Sequence, residues 1–191
     1  MARVRPGEKP VLVVVDVQVG VMAECWDAAR VIGNVASAVA QARAAGVPVL
    51  WVQHADEQLT TGSDAWQWVP ELMPGDGEPL IHKHFNSSFE ATELEAELAA
   101  LQATHITLAG AASNWCIRAT AYAALERGYD LTLVSDAHTT GSLEMPGGTR
   151  IEAARVVDEL NLAMKWLSYP GRRNRTVSVD ELDFTPPARE G

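Results

Sequence analysis

The amino-acid order predicts an α/β protein, a three-layer, doubly wound, mainly parallel sheet of about six strands with helices on both faces. Three observations carry that prediction. Pro10 to Asp16 is a near-continuous β-branched run ending in a carboxylate, the pattern of a strand buried on both faces. Segments with helical spacing alternate with such short apolar runs along the chain, as helical crossovers between parallel strands require. Glycines at 46 and 128 stand where two of the helical patterns stop.

The elements follow in order. After the first strand, Val31, Val35, Ala38, Val39 and Ala42 give one apolar stripe to a helix over 28–45. Pro48 to Gln53 reads as the second strand. His54 to Pro79 has no period and is rich in Gly, Pro, Asp, Thr and Trp, and so long a loop is expected to form a wall of a functional site. Leu80 to Phe85 is a short strand carrying Lys83. Glu90 to Leu101 follows as a helix, with Ser87 or Ser88 as its cap. His105 to Ala109 is the fourth strand, Gly110 to Asn114 a turn, and Trp115 to Arg127 a helix. Tyr129 to Ser135 is the fifth strand, Thr149 to Leu167 the long last helix, and Thr176 to Val179 an edge strand.

Composition narrows the functional class. At 191 residues the chain is expected to form one domain over 1–191 with a core that needs no disulfide or structural metal. A formal net charge of -10 opposes phosphate backbones and anionic membranes, so neither nucleic acid nor membrane is expected as a partner. The basic stretch Arg172, Arg173 and Arg175 beside Pro170 and Gly171 reads as a solvated loop. No apolar run reaches the ~18 residues of a membrane span. The basic start Met-Ala-Arg-Val-Arg is followed by Pro-Gly-Glu-Lys-Pro rather than an apolar stretch, so a cytoplasmic location is expected, with Cys25 and Cys116 as separate thiols.

Ligands of such sheets bind outside the carboxyl ends of the strands. Asp16 closes the first strand, Lys83 lies in the third, and Cys116 follows the turn after the fourth, so the fold brings the three to one edge. Each has a plain structural reading: Cys116 as a small buried residue, Asp16 as a cap, Lys83 as a surface lysine between His82 and His84. Together they supply nucleophile, proton acceptor and cation. A thiol in the first turn of a helix is expected to have a lowered pKa from the helix dipole.

The same residues resemble the isochorismatase-like cysteine hydrolases, which include nicotinamidases and N-carbamoylsarcosine amidase. The resemblance rests on Val-Val-Val-Asp16-Val-Gln18, on Lys83-His-Phe-Asn-Ser87-Ser-Phe89, on Gly110 through Cys116 to Thr120, and on Gly128-Tyr129 leading to Ser135-Asp136-Ala137, and it covers nearly the whole chain. It implies Cys116 as nucleophile, Asp16 as general base and Lys83 as the cation that stabilises the thiolate. It also implies an oxyanion hole from the N–H groups of Ala112 and Cys116, and a cis peptide between Ala111 and Ala112. Isochorismate hydrolases of this fold lack a cysteine at the nucleophile position, so Cys116 points to acyl transfer on a small amide, ureido or lactam carbonyl, through a thioester.

Metal-containing nicotinamidases carry an Asp-x-His pair after the second strand. This chain has Gln53-His54-Ala55-Asp56 there, and His82 and His84 alternate across a short strand, so no metal is expected. Neither is a cofactor. Gln18, Trp66, Phe85 and Trp115 are the candidates for contact with a small-molecule substrate, within an aromatic set that also includes Trp26, Trp68 and Phe89. A homo-oligomer, dimer or tetramer, is expected from the resemblance. Two other classes compete. A nucleotide- or flavin-binding module would need a glycine-rich phosphate cradle, of which there is none, and a redox thiol protein would need Cys25 as a resolving partner.

Overall fold

A computed structural model describes residues 5–185. Its strands are β1 (Pro10–Val15), β2 (Val49–His54), β3 (Leu80–Lys83), β4 (His105–Ala111), β5 (Asp130–Thr139), β6 (Leu143–Glu144), β7 (Arg150–Ile151) and β8 (Asn174–Val177). Six of them form one sheet in the order β3-β2-β1-β4-β5-β8, every pair parallel. Its helices are α1 (Val19–Met22), α2 (Ala28–Ala44), α3 (Leu94–Ala100), α4 (Arg118–Glu126) and α5 (Ala153–Trp166), and a π-helical turn, Ser113–Ile117, leads into α4.

The strand side chains divide between two cores by simple alternation. Val11, Val13 and Val15 of β1 face Leu94 and Leu98 of α3, Ala121 and Leu125 of α4, and Leu160 and Met164 of α5. Leu12 and Val14 face the α2 stripe Val31, Val35, Ala38, Val39 and Ala42, together with Val179, Leu182 and Phe184. The sheet is therefore covered on both faces, the three-layer arrangement that its β-branched strands predict.

Several boundaries move, each for a local reason. The third helix starts at Leu94 rather than Glu90, because the Ser88 N–H is taken by Thr120 Oγ1 at 3.0 Å and Ala91 adopts φ +51°, which breaks the helical path. β5 continues to Thr139, pairing His138 with Gly110 and Thr139 with Ala111 after a register shift. The last helix starts at Ala153, since the stretch before it is a small hairpin of β6 and β7, too short to leave a period in the sequence. Asn174–Val177 is the edge strand, two residues earlier than expected. The basic stretch is no solvated loop: Arg173 pairs with Asp130, Arg175 Nη2 reaches Asp183 Oδ1 at 2.6 Å, and Arg172 Nε donates to Leu125 O at 2.8 Å. Among the described residues no helix is long and apolar enough to cross a membrane.

Candidate active site

β1 lies between β2 and β4, so the chain winds outward on one side through β2 and β3 and then returns to the other side at β4. A crevice opens at such a switch, at the carboxyl ends of β1 and β4. Asp16 follows β1 directly, with φ 52° turning the chain out of the strand. On β4, Gly110 holds φ +126°, and a Cβ there would stand 2.0 Å from Val15 O. Only glycine allows β4 to pass this close to β1. The Ala111–Ala112 peptide is cis, and Ala112 O then accepts the N–H groups of Trp115 (3.0 Å) and Ile117 (3.1 Å), setting the π-helical turn that holds Cys116.

Lys83 ends β3 and reaches past β2 into this crevice. Its Nζ lies 2.6 Å from Asp16 Oδ2, 3.1 Å from Cys116 Sγ and 3.3 Å from His54 Nδ1. All three residues predicted from sequence are thus brought together, and Asp16 and Lys83 are buried to 2% and 1% exposure. Cys116 Sγ also faces Asn86 Oδ1 at 3.9 Å. Asp16 Oδ1 is buried with no hydrogen-bond partner among the described residues.

Electrostatics in the crevice differ from the expectation of a thiol acidified by a helix dipole. Burial pushes the Cys116 thiol up to about 12, and the neighbouring Asp16 charge adds to the shift while Lys83 opposes it. Burial likewise raises the Asp16 carboxyl, against the pull of Lys83. Desolvation penalises a charge more than one turn of backbone dipole relieves it, and Cys116 sits in a π-helical turn rather than in an α-helical first turn. Two anions here would share one cation, so the site favours a single negative charge with a proton held between Asp16 and Cys116.

The candidate substrate contacts divide. Trp115, next to Cys116 in the chain, and Phe85, two residues after Lys83, are 55% and 50% exposed. Gln18 is buried, and its Nε2 donates to His54 O (3.0 Å) and Trp66 O (2.8 Å) while its Oε1 accepts the His54 N–H (2.9 Å), so both amide donors are committed to the wall and one lone pair of Oε1 is left over. Trp66 is half-buried, stacked on His82 with ring centroids 5.7 Å apart. Trp68 is half-buried, edge-on against Trp51 at the border of the core, and Phe89 is a core residue beside Tyr129. Ala112 is half-buried at the mouth of the turn. Cys25 is a separate thiol that donates to Val21 O at 3.2 Å and is pushed up to about 11 by burial.

Sequence reasoning weighed His54 only as a metal ligand; its place at the carboxyl end of β2 was the signal for more. Also missed was an interior chain in which Ser113 Oγ meets His138 Nδ1 at 2.7 Å and His138 Nε2 meets Asn161 Oδ1 at 3.0 Å, tying the π-helical turn to α5. Among the described residues no group of three or more His, Cys, Asp and Glu could hold a metal ion.

A doubly wound sheet with a buried carboxylate, ammonium and thiol at its switch point defines the class of this protein as α/β with a cysteine-centred site. The isochorismatase domain model matches residues 10–157, and the chain belongs to the isochorismatase family. It is 34% identical over 138 residues to streptothricin hydrolase of Streptomyces noursei, covering 68% of this chain and 49% of that protein. To ureidoacrylate amidohydrolase RutB of Methylobacterium radiotolerans it is 31% identical over 144 residues, covering 58% and 56%. The matched region covers about half to two thirds of the length of most of these curated relatives, and 83% of an isochorismatase family protein of Bacillus subtilis. An isochorismatase of Pseudomonas putida KT2440 shares its fold with TM-score 0.81 over 92% of this chain and 90% of that one, at 24% identity.

Proposed function

We propose that this chain is a cysteine-dependent amidohydrolase that cleaves a small amide, ureido or lactam C–N bond through a thioester. The observation that carries the reading is one buried ammonium 2.6 Å from a carboxylate and 3.1 Å from a thiol. The amidohydrolase and streptothricin hydrolase among its relatives support the same class.

The chemistry follows from the charges. Asp16 rests as the carboxylate paired with Lys83, and its unpartnered Oδ1 is the acceptor for the Cys116 proton. As the thiol gives up that proton, Asp16 becomes neutral and Lys83 stands beside the thiolate, so the site keeps one negative charge throughout. Attack on the carbonyl carbon moves the charge to the carbonyl oxygen, for which the N–H groups of Ala112 and Cys116 serve as donors. Collapse of the adduct expels ammonia or an amine, which takes the proton from Asp16. Water, deprotonated by Asp16, then hydrolyses the thioester, regenerating the thiol and releasing the acid. No step calls on a metal or cofactor. Trp115 and Phe85 belong to the same reading as the walls of a small-molecule pocket, and a cytoplasmic homo-oligomer of single-domain subunits remains part of it.

The test is a panel of small amides, ureides and lactams read by ammonia or amine release, with Cys116→Ala as control. On any substrate found, Cys116→Ala is expected to lower kcat by at least ~10⁴-fold, because the covalent route is lost. Turnover by Cys116→Ala equal to that of the parent would end the proposal.

A further inference from the structure

Lys83 has to pass β2 to reach its partners. It leaves β3, and Asp16 follows β1 on the far side of β2, so the ammonium crosses roughly two strand spacings of ~4.8 Å each. On the way it meets His54, the last residue of β2 and the register partner of Lys83 across the β2–β3 pair. An ammonium has three donors and no acceptor. Asp16, Cys116 and His54 Nδ1, at 2.6, 3.1 and 3.3 Å, offer three acceptors for them.

The donor-only ammonium decides the tautomer of His54. Nδ1 must present its lone pair, which places the ring proton on Nε2, and Nε2 faces Asp56 Oδ2 at 3.2 Å. The Asp56 carboxylate is held in turn by the N–H groups of Gln58 (2.8 Å) and Leu59 (2.7 Å) on Oδ1, bonds that keep it below the usual carboxylate range. Gln18 clamps the backbone N–H and carbonyl of His54. The ring is therefore fixed at its backbone and at its far nitrogen, while its near nitrogen is turned to Lys83.

We infer that His54, oriented by Asp56, is a positioning residue that holds the Lys83 ammonium between Asp16 and Cys116. The inference rests on Cys116 being the nucleophile and Lys83 its cation. The groups that face His54 are Lys83 and Asp56, with Asp16 beyond the ammonium. Without the imidazole, one ammonium donor loses its acceptor and the long lysine side chain gains freedom to swing from the sulfur. The thiolate beside it would then form less readily at a given pH.

The experiment needs no substrate. In the full chain carrying Cys25→Ser, the rate of Cys116 alkylation by iodoacetamide is followed by intact mass from pH 6 to pH 10. Lys83→Met, which removes the cation, is expected to slow labelling at neutral pH by ~30-fold or more and to move the profile to higher pH. His54→Leu is expected to slow it ~10-fold and shift the profile the same way, the scale seen when a supporting hydrogen-bond partner is removed. His54→Asn, whose Oδ1 restores an acceptor near the Nδ1 position, is expected to recover labelling to within ~3-fold of the parent, and Asp56→Ala to slow it ~3-fold. A His54→Leu profile that superimposes on the parent while Lys83→Met shifts would overturn the role of His54 and leave the nucleophile standing. A Lys83→Met profile that also superimposes would bring down both. Should circular dichroism show His54→Leu unfolded, Asp56→Ala decides, and an unchanged rate in that variant overturns the inference.

Discussion

Asp130 and Arg173 pair where β5 and β8 begin, while Asp16 and Lys83 pair where β1 and β3 end, so a half-buried ion pair and a buried one stand at opposite ends of the strands of one parallel sheet. At the first, Asp130 Oδ1 accepts the Arg173 N–H at 2.8 Å and Oδ2 accepts Arg173 Nε at 2.7 Å, with Nη2 closing a second contact on the same oxygen. Both carboxylate oxygens are satisfied by one residue, Oδ1 by its backbone N–H and Oδ2 by its planar guanidinium, an arrangement that stays put. At the second, one oxygen of Asp16 has no partner among the described residues, and the cation is a flexible lysine shared among a carboxylate, a thiol and an imidazole. An unsatisfied buried polar atom costs stability, and under the proposed reaction this one is the acceptor of the thiol proton. The first pair joins two strands. The second leaves one carboxylate oxygen without a partner among the described residues, the one the proposed reaction uses.

Exchanging the two carboxylates for amides is the strongest way to break this comparison. Asp16→Asn removes the proton acceptor and is expected to lower kcat ~10³-fold, within the range for a general base. Asp130→Asn leaves the half-buried Arg173 beside a neutral amide, and is expected to cost about 2 kcal/mol in urea unfolding while kcat of the folded protein changes less than ~3-fold. Parallel measurement of kcat and unfolding free energy checks both. A large loss of turnover in Asp130→Asn, with folding intact, would mean that the two pairs do not divide structure from chemistry.

The distinction was half legible in the sequence. Asp16, Lys83 and Cys116 stand at or near strand ends, and a doubly wound sheet gathers strand ends, so topology alone predicted their meeting. What spacing does not carry is reach. Nothing in the order of residues says that the Lys83 side chain passes β2 and meets His54, or that the Gln18 amide binds the backbone of His54 and Trp66. The thiol was misread for a related reason, since a dipole follows from position in a helix whereas desolvation depends on what the rest of the chain packs around it. The β6–β7 hairpin, with two residues per strand, is below the length at which alternation registers.

The close approach of β4 to β1 allows a second, smaller break. Gly110→Ala puts a methyl group against Val15 O at a backbone angle that side chains rarely adopt, so strain and overlap add. A loss of about 3 kcal/mol in unfolding free energy is expected, and any folded fraction should turn over slowly because the turn that carries Cys116 begins three residues later, at Ser113. Unchanged stability in this variant would show that the strands separate freely there, and that the proximity of Asp16 to Cys116 does not depend on it.

The smallest expected effect sharpens the contrast by pH. His105 and His138 lie in the interior, both lowered to about 4 by burial, whereas free histidine titrates near 6.5. Between those values the unfolded chain binds protons that the folded chain refuses, so stability is intact above about 6.5 and falls as pH drops toward 4. At pH 5 each imidazole should cost about 2 kcal/mol relative to neutral pH. Glu78 and Asp183, both lowered to about 2, keep their contribution until the pH falls below the ordinary carboxylate range, so they leave the window from 6.5 to 5 to the histidines. Asp16 works in the opposite sense, because its raised carboxyl binds a proton more readily folded than unfolded, and this trims the total. Urea titrations at pH 7, 6 and 5 would read the slope, in the parent and in Asp16→Asn. A flat profile in both chains would show that the two imidazoles are not held neutral, and that the chain from Ser113 through His138 to Asn161 is open to water.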